Sequence, residues 1–469
     1  MSIQGVNDFS ATFLHRLFVS QNATGNVAIC GLSLYVMLGA INLGLRGSGH
    51  DQLSHFLGEN FDDVFNVGDL EDFPTAERWS DLSDLVSEFY YIHSSVYHLC
   101  DINDRYEKVA SYMFDIDILK EDFSDPEIAS QKLNEFVFEY VIGPRPNIFD
   151  ESMIRENELI VIDSLFISMD WKSPFNTSLT RQEPFIDNQG QSIEVAMMTQ
   201  QKMNLIYDSP NLNCRILFKR LKDKNRYAVI VLPREGHKIE DVLKNLKFDE
   251  MQIYFNASQR KYVKLTMPKF KILGPHDLVN TFKSFGLTDM FDPHRSDFGR
   301  MTTQSVFIGT FIQVIHFDIR ESGVNTEIDD DSDDGQIVGE GEDVDDIEDV
   351  EETTQIEQEH EKDEDDHSSS EIDSEKDDDD ENENDHLSSE SDSEKDEDVE
   401  PRQTSENLDE DEERFIPSHP ESDDSEDPGD EPSHDPAEFL VNGPFLFFIY
   451  SSKEDLVFYS AAVTNPSVA

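Results

Sequence analysis

The sequence reads YVKLTMPKF at residues 262–270, a short run that predicts a β-strand. Other strand candidates lie on both sides of it. VFIGTFIQVIHFDI (306–319) is long and begins with an almost continuous apolar run, which indicates burial on both faces of a sheet. The remaining candidates are LIVIDSLFISM (159–169), EVAMMTQ (194–200), ILFKRL (216–221), YAVIVLP (227–233) and FLVNGPFLFFIY (439–450).

Helical patterns dominate the part of the chain that precedes these strands. Residues 8–19 place their apolar side chains on one stripe, and residues 33–43 are apolar almost all round, which indicates a helix buried inside a domain. Further helical patterns occupy 51–57, 101–142 and 277–287. Helices first and mostly strands afterwards favour an α+β fold in one domain.

About half of the acidic residues lie in one segment. Residues 329–437 contain 52 of the 101 Asp and Glu residues but only 5 of the 37 Lys and Arg residues. Such a segment buries too little apolar surface to offset its ordering entropy, so we expect disorder there. The predicted organisation is a folded body at 1–328, a disordered acidic tract at 329–437, and C-terminal strands that complete the body at 438–469.

Several classes of protein are excluded by what the sequence lacks. It contains no HExxH, P-loop, GxGxxG or GxSxG motif, so we expect no enzyme, no cofactor and no metal site. Every region is acidic on balance, which argues against nucleic-acid binding, and no apolar run is long enough for a membrane span. Three scattered cysteines and an N-terminus without a signal-peptide pattern favour the cytoplasm or nucleus, with a non-classical extracellular route as the alternative.

A series of short motifs, in order along the chain, resembles the serpin family. The resemblance runs from about residue 8 to Pro466 and skips the acidic tract. It implies helices packed on a large central β-sheet with smaller sheets, and the N-terminus resembles the intracellular branch. The motifs are Asn26–Ser33 with Leu38-Gly39-Ala40, the spaced set Trp171, Phe175, Thr180 and Phe185, then Val231-Leu232-Pro233, Met267-Pro268-Lys269-Phe270, Leu287–Phe291, Glu321–Gly323, Pro444–Ile449 and Asn465-Pro466.

The resemblance implies a suicide substrate for a serine or cysteine protease. In the family, the target protease cleaves an exposed loop, and the cut loop then enters the main sheet as an extra strand. The tract at 329–437 would stand inside this loop. The corresponding loop hinge comprises Glu321, Ser322, Gly323, Val324, Thr326 and Ile328.

The hinge chemistry argues against full insertion of this loop. Alternate residues of an inserted strand face the core, and Val324, Thr326 and Ile328 are β-branched residues suited to that position. The next inward residues include Asp330 and Asp334, whose ionised carboxylates would cost several kcal/mol at least in a packed interior. The small, alanine-rich hinge of the family is replaced here by Thr326–Asp329.

The resemblance also implies a sheet-opening region, and this region departs from the family pattern. Its polar cluster usually holds two serines, an asparagine and a histidine. The corresponding residues here, together with the tryptophan of the same region, are Cys30, Ser33, Asp163, Gln313 and Trp171. Only Ser33 keeps the family residue within the cluster, which suggests relaxed demands on the switch.

The acidic tract contains a short tandem duplication. HSSSEIDSEKD (367–377) recurs as HLSSESDSEKD (386–396), a feature of low-complexity sequence. An acid stands three residues after each of four serines, the pattern favoured by acidophilic kinases; these are Ser370, Ser374, Ser389 and Ser393. The tract is interpreted as a solvated spacer, as a polyanion that attracts basic proteins, or as a diffuse binder of cations.

Two functions therefore stay open from the sequence. One is an inhibitor of the serine-protease-inhibitor class that acts through its reactive loop. The other is a non-inhibitory serpin scaffold whose acidic loop binds basic proteins or cations. No scissile bond can be assigned, because counting forward from the hinge gives Ile337-Val338 and counting back from Phe439 gives Glu431-Pro432.

Overall fold

The structure is a computed structural model that describes residues 3–66, 70, 73–87, 91–139, 147–154, 158–209, 211–325 and 435–468. All of these belong to one contact unit, Met1–Asp331 with His419–Ala469. Several predicted residues lie outside the described ranges: the hinge residues Thr326 and Ile328, Asp330 and Asp334, and the candidate phosphorylation sites Ser370, Ser374, Ser389 and Ser393.

Helices form most of the first third of the described chain. None of the described helices combines the length and apolar character needed to cross a bilayer. The helices are α1 (Ile3–Ser20), α2 (Gly31–Gly44), α3 (Gly47–Leu57), α4 (Pro74–Ser87), α5 (Asp104–Phe114), α6 (Pro126–Glu139), α7 (Ile239–Asn245), α8 (Met251–Asn256) and α9 (Val279–Ser284).

Strands dominate the remainder. They are β1 (Val27–Ile29), β2 (Tyr91–His98), β3 (Asp117–Lys120), β4 (Glu158–Phe166), β5 (Met169–Asp170), β6 (Arg181–Ile186), β7 (Ser192–Ser209), β8 (Cys214–Arg220), β9 (Arg226–Pro233), β10 (Gln259–Pro268), β11 (Phe270–Asp277), β12 (Phe307–Ile319), β13 (Gly323–Val324), β14 (Ala437–Leu440), β15 (Phe445–Ser451) and β16 (Leu456–Val463).

The main sheet carries the order β3-β2-β4-β12-β13-β5, with β11 paired to the other edge of β12. Its central pair, β4 and β12, is parallel and runs from Glu158 opposite Phe307 to Phe166 opposite His316. Every residue of β4 is buried, as the nearly continuous apolar sequence predicts for a central strand. The boundary between β4 and β12 is called the seam below.

A second sheet joins β1-β16-β15-β9-β8-β7-β10-β14, with β6 paired to β7. Strand β14 begins at Ala437, the last residue assigned above to the acidic tract, and Ala437 lies opposite Val263 in β10. The C-terminal strands therefore begin at residue 437, one residue before the predicted start at 438.

Both faces of the main sheet are covered by apolar side chains. The larger core lies on the face toward α1 and α2 and contains Leu159, Val161 and Ile315. A smaller cluster on the opposite face joins Ile160 and Ile162 of β4 to residues of α6 such as Leu133. Helix α2 is buried along its whole length, as predicted.

These elements confirm the predicted α+β fold and correct several boundaries. The single strand expected at 262–270 is divided at Lys269, where β10 leaves the second sheet and β11 joins the main sheet. The helical stretches expected within 101–142 are α5 and α6, and strand β3, which was not predicted, lies between them. The expected strand at 159–169 ends at Phe166, and β5 follows after two irregular residues.

Candidate functional site

The chain reverses direction after β12 and enters the main sheet. The amide of Arg320 donates to the carbonyl of Gly323 at 2.9 Å, which closes a tight turn with Glu321 and Ser322 at its tip. Val324 then lies opposite Ile319 of β12 and Met169 of β5. The first two residues after the turn are thus already a short strand between β12 and β5, and the Val324 side chain is fully buried.

Glu321 fastens the turn to the neighbouring chain. Its carboxylate accepts a hydrogen bond from Thr180 Oγ1 at 2.7 Å and lies 2.9 Å from Lys269 Nζ. Partial burial raises the pKa of this carboxyl, but the bonds from Lys269 and Thr180 outweigh that effect and hold the pKa below its usual value. Glu321 is therefore a charged anchor at neutral pH.

Trp171, which is buried, also binds this turn. Its amide donates to Ser322 O at 3.0 Å and its indole Nε1 donates to Arg320 O at 2.9 Å. The ammonium of Lys219 lies 5.1 Å from the indole ring, in cation–π range. Burial lowers the pKa of Lys219 to about 7, so this side chain gains and loses its proton close to physiological pH.

Asn325 occupies the point where the two strands of the seam separate, which we call the fork. The β4–β12 pairing ends at Phe166 and His316, and the Asn325 amide Nδ2 donates to Ile167 O at 2.6 Å and His316 O at 2.9 Å. Its backbone is left-handed, with φ 49°, a conformation that asparagine tolerates better than most residues. Asn325 therefore binds the chain at the end of β4 and the end of the paired part of β12 at once.

A row of polar residues crosses the main sheet below the fork. Ser94 of β2 lies opposite Asp163 of β4, Asp163 lies opposite Gln313 of β12, and Gln313 lies opposite His276 of β11. Asp163, Gln313 and His276 are buried in the face toward α2. The row is perpendicular to the strands, so an extra strand in the seam would have to cross it.

Asp163 is the centre of this row. Its Oδ2 accepts hydrogen bonds from Gln313 Nε2 at 2.7 Å and from Ser33 Oγ of α2, and its Oδ1 accepts one from Ser94 Oγ at 2.7 Å. Gln313 also exchanges two bonds of 3.1 Å with the backbone of Cys30. The bond between Gln313 and Asp163 crosses the seam directly.

The carboxyl of Asp163 has no solvent-exposed surface, and its burial raises its pKa. The three hydrogen bonds favour the charged form but do not compensate for the lost water. A buried, hydrogen-bonded acid thus stands at the centre of the row. Among the described residues, no group of three or more His, Cys, Asp and Glu side chains is arranged to hold a metal ion.

The structure divides the predicted sheet-opening residues into two places. Cys30, Ser33, Asp163 and Gln313 come together at the seam, whereas Trp171 contacts the turn at Arg320 and Ser322 instead. Sequence reasoning missed three contributors, namely Ser94, His276 and Asn325. An asparagine directly after a short buried strand is a usable signal for a left-handed residue, but the other two depend on strand pairing.

Comparison with known proteins shows the family to which this chain is similar. The family described as "Serpin (serine protease inhibitor)" matches residues 4–340. Leukocyte elastase inhibitor of Xenopus laevis is 23% identical over 319 residues, which cover 66% of this chain and 84% of that protein. Corticosteroid-binding globulin of Bos taurus is 24% identical over 306 residues, which cover 64% of this chain and 73% of that protein.

A solved structure shows the same fold. Serine protease inhibitor (serpin)-12 of Manduca sexta superposes with a TM-score of 0.68 at 13% identity, covering 100% of this chain and 99% of that chain. The chain therefore belongs to the serpin family, whose members are protease inhibitors or binding proteins, and it is not an enzyme. Because the relatives include both kinds, membership alone leaves inhibition open.

Replacing Asp163 with asparagine should raise the free energy of unfolding at pH 7.5, because burial raises the pKa of this carboxyl and an amide has no charge to desolvate. The amide can accept from Gln313 and Ser33 and donate to Ser94 without a buried charge. The wild-type folded chain keeps this proton at pH values where the unfolded chain has lost it, so wild-type stability rises as the pH falls. The advantage of D163N should therefore shrink toward pH 5 in urea titrations.

Asp170→Asn is the matched control, because Asp170 forms a half-exposed ion pair with Lys222. Such pairs contribute about 0–1 kcal/mol, so its effect should be small at both pH values. An equal gain for D163N at pH 5 and 7.5 would contradict a raised pKa at Asp163.

Replacing Asn325 with alanine should release the short strand β13 from the main sheet. The change removes both bonds to the seam carbonyls and penalises the left-handed backbone. The backbone amide of residue 325 donates to Asp318 O at 2.8 Å in the wild type, and we expect it to exchange about tenfold faster with solvent hydrogen in the variant. Asn325→Gly keeps the positive φ and should give an intermediate rate.

Asn22→Ala serves as the control for this exchange measurement, because Asn22 also has a positive φ, 58°, but lies exposed in the turn after α1. Its substitution should leave exchange at β13 unchanged. If β13 exchanges in N325A at the same rate as in the wild type, the fork does not hold the hinge.

Proposed function

We propose that this serpin is a protease inhibitor that acts as a suicide substrate, with trapping strongest under mildly acidic conditions. The observation that carries the proposal is the fork, where the hinge already occupies the top of the seam while β4 and β12 remain paired below it. A further strand could enter between β4 and β12 only if this pairing breaks. A serine or cysteine protease is the expected partner.

The register of the hinge defines where a longer inserted strand would lie. Val324 stands opposite Ile319 and Met169 in antiparallel pairing. Continued without a bulge, each residue along the loop moves one position back along both neighbours. Position 330 would then fall between Gln313 and Asp163.

This register gives the insertion step a definite chemical obstacle. Val324 faces the larger core, so Asp330 would face the same core, beside the buried carboxyl of Asp163. Two adjacent buried carboxylates cannot both ionise at low cost, and such a pair retains one shared proton. Insertion past residue 328 would bury Asp330 beside Asp163 and raise the pKa values of the pair further, so it would take up protons and become easier as the pH falls.

A second candidate function follows from the same obstacle at neutral pH. If insertion stops before Asp330, the body is a serpin scaffold that displays a long acidic tract. Long-range attraction would then recruit basic proteins, with an affinity that decreases steeply with salt. We infer a cytoplasmic or nuclear setting for either function from the three scattered cysteines, which suit a reducing compartment.

Incubation with a panel of serine and cysteine proteases at pH 5.5 and 7.5 tests the proposal. We expect at least one protease to form a covalent adduct that survives a denaturing gel, with more adduct at pH 5.5. The double variant Asp330→Ala with Asp334→Ala should form adduct equally at both pH values. Val324→Arg should form none, because a long charged side chain replaces a fully buried valine.

Absence of any adduct from the wild type and from the double variant, at both pH values, would favour the scaffold. If the wild type forms the same amount of adduct at both pH values, the protein is an inhibitor, but the role given to Asp330 is contradicted.

A further inference from the structure

A buried lysine lies beside the segment that binds the hinge turn. Lys219 of β8 is 2% exposed, and its Nζ donates to Ser173 O at 2.9 Å and to Gln200 Oε1 at 2.7 Å. The ring centres of Trp171 and Phe175 lie 5.1 and 4.6 Å from the same nitrogen. The amine is therefore enclosed by two neutral oxygens and two aromatic rings.

The two residues that carry these rings also bind the turn. Trp171 donates to Ser322 O at 3.0 Å through its amide and to Arg320 O at 2.9 Å through its indole Nε1. The amide of Phe175 donates to Glu321 O at 2.9 Å. The segment from Trp171 to Phe175, which we call the cover, thus shields the amine and supplies three hydrogen bonds to the turn.

The surroundings of Lys219 disfavour its charged form. Both hydrogen-bond acceptors of Nζ are neutral, and the charge of Lys202 on β7 adds to the effect of burial in lowering the pKa of Lys219. Lys172 on the cover is exposed, and Arg220 on β8 is half-buried. The other charged groups on the elements packed against Lys219 lie in ion pairs, namely Asp170 with Lys222, Arg226 with Asp223, Arg320 with Asp318, and Glu321 with Lys269.

Two opposing effects act on the proton of Lys219. The rings attract the ammonium, but this attraction is smaller than the penalty for burying a charge that has only neutral hydrogen-bond partners. The pKa of Lys219, lowered by burial to about 7, agrees with this balance. A neutral amine still has two N–H groups and can keep both hydrogen bonds, so the neutral form is the one that suits a closed cover.

We propose that Lys219 is a positioning residue for the hinge turn, and that its protonation loosens the cover and, with it, the turn. An amine that water can reach has a higher pKa than the enclosed one, so uptake of a proton from solvent favours the open cover. The effect grows as the pH falls from alkaline values and levels off below about pH 7, where the enclosed amine is also protonated. It operates in the intact protein, whether or not the loop later enters the sheet.

Solvent exchange of the Trp171 indole proton, which donates to Arg320 O, measures the opening of the cover in the intact chain without a protease. The sequence contains two tryptophans, so isotope-labelled tryptophan gives two indole signals, and Trp79→Phe assigns them. We expect the protection of the Trp171 proton, relative to free indole at the same pH, to decrease about tenfold from pH 8.5 to pH 6.5, since one pKa unit is a factor of ten.

Substitutions at Lys219 separate its charge from its packing. Lys219→Met fills similar space without a titratable group, so protection at Trp171 should be high and equal at both pH values. Lys219→Arg is charged at both pH values and should leave the indole proton weakly protected throughout. Lys222→Met is the matched control, because it removes a largely exposed lysine, and it should keep the wild-type pH dependence.

Three results would overturn the proposal. The first is wild-type protection at Trp171 that stays constant or increases as the pH falls. The second is a wild-type pH dependence that persists in K219M. The third is an equal loss of protection at Trp79, which would show that the whole body opens and not the cover alone.

Discussion

The hydrogen bond between Asp163 and Gln313 joins β4 to β12, and the proposed function depends on whether these two strands can separate. It crosses the seam between β4 and β12, in the middle of a ladder that must part if a strand is to enter. The same carboxyl binds Ser33 of α2 and Ser94 of β2, so it joins the sheet to the helix beneath it. Breaking the seam would expose a buried acid to a new neighbour, and the identity of that neighbour determines the energy of the step.

Different interactions hold the two ends of the hinge. At the turn, Trp171 and the charged anchor Glu321 fix the backbone through direct hydrogen bonds. At the fork, Asn325 has a left-handed backbone, and its side chain donates hydrogen bonds to the carbonyls of Ile167 and His316. Under the proposed function, a loop that advances would first give up the bonds of Asn325 and would only afterwards meet the polar row. The fork would then control the start of insertion, and Asp163 would control how far it proceeds.

Much of the fold could be predicted from the sequence, because its strands are long and apolar and its motifs resemble one family. The strand at 306–319 and the buried helix at 33–43 appear where they were expected. The site was predicted less completely. Ser94 and His276 join the polar row only through strand pairing with residues far away in the sequence, and local patterns carry no information about such register. Trp171 was grouped with the seam, although its contacts are with the turn.

The most direct test of this account is the melting temperature of the protein cleaved within its acidic tract, compared with the intact protein at pH 7.5 and pH 5. The account predicts a small rise on cleavage at pH 7.5, because Asp330 would lie beside Asp163 in an inserted strand, and a clearly larger rise at pH 5, where the pair holds a proton. A large rise of equal size at both pH values would show that the seam accepts the acidic strand without a proton, and would contradict the role given to Asp163.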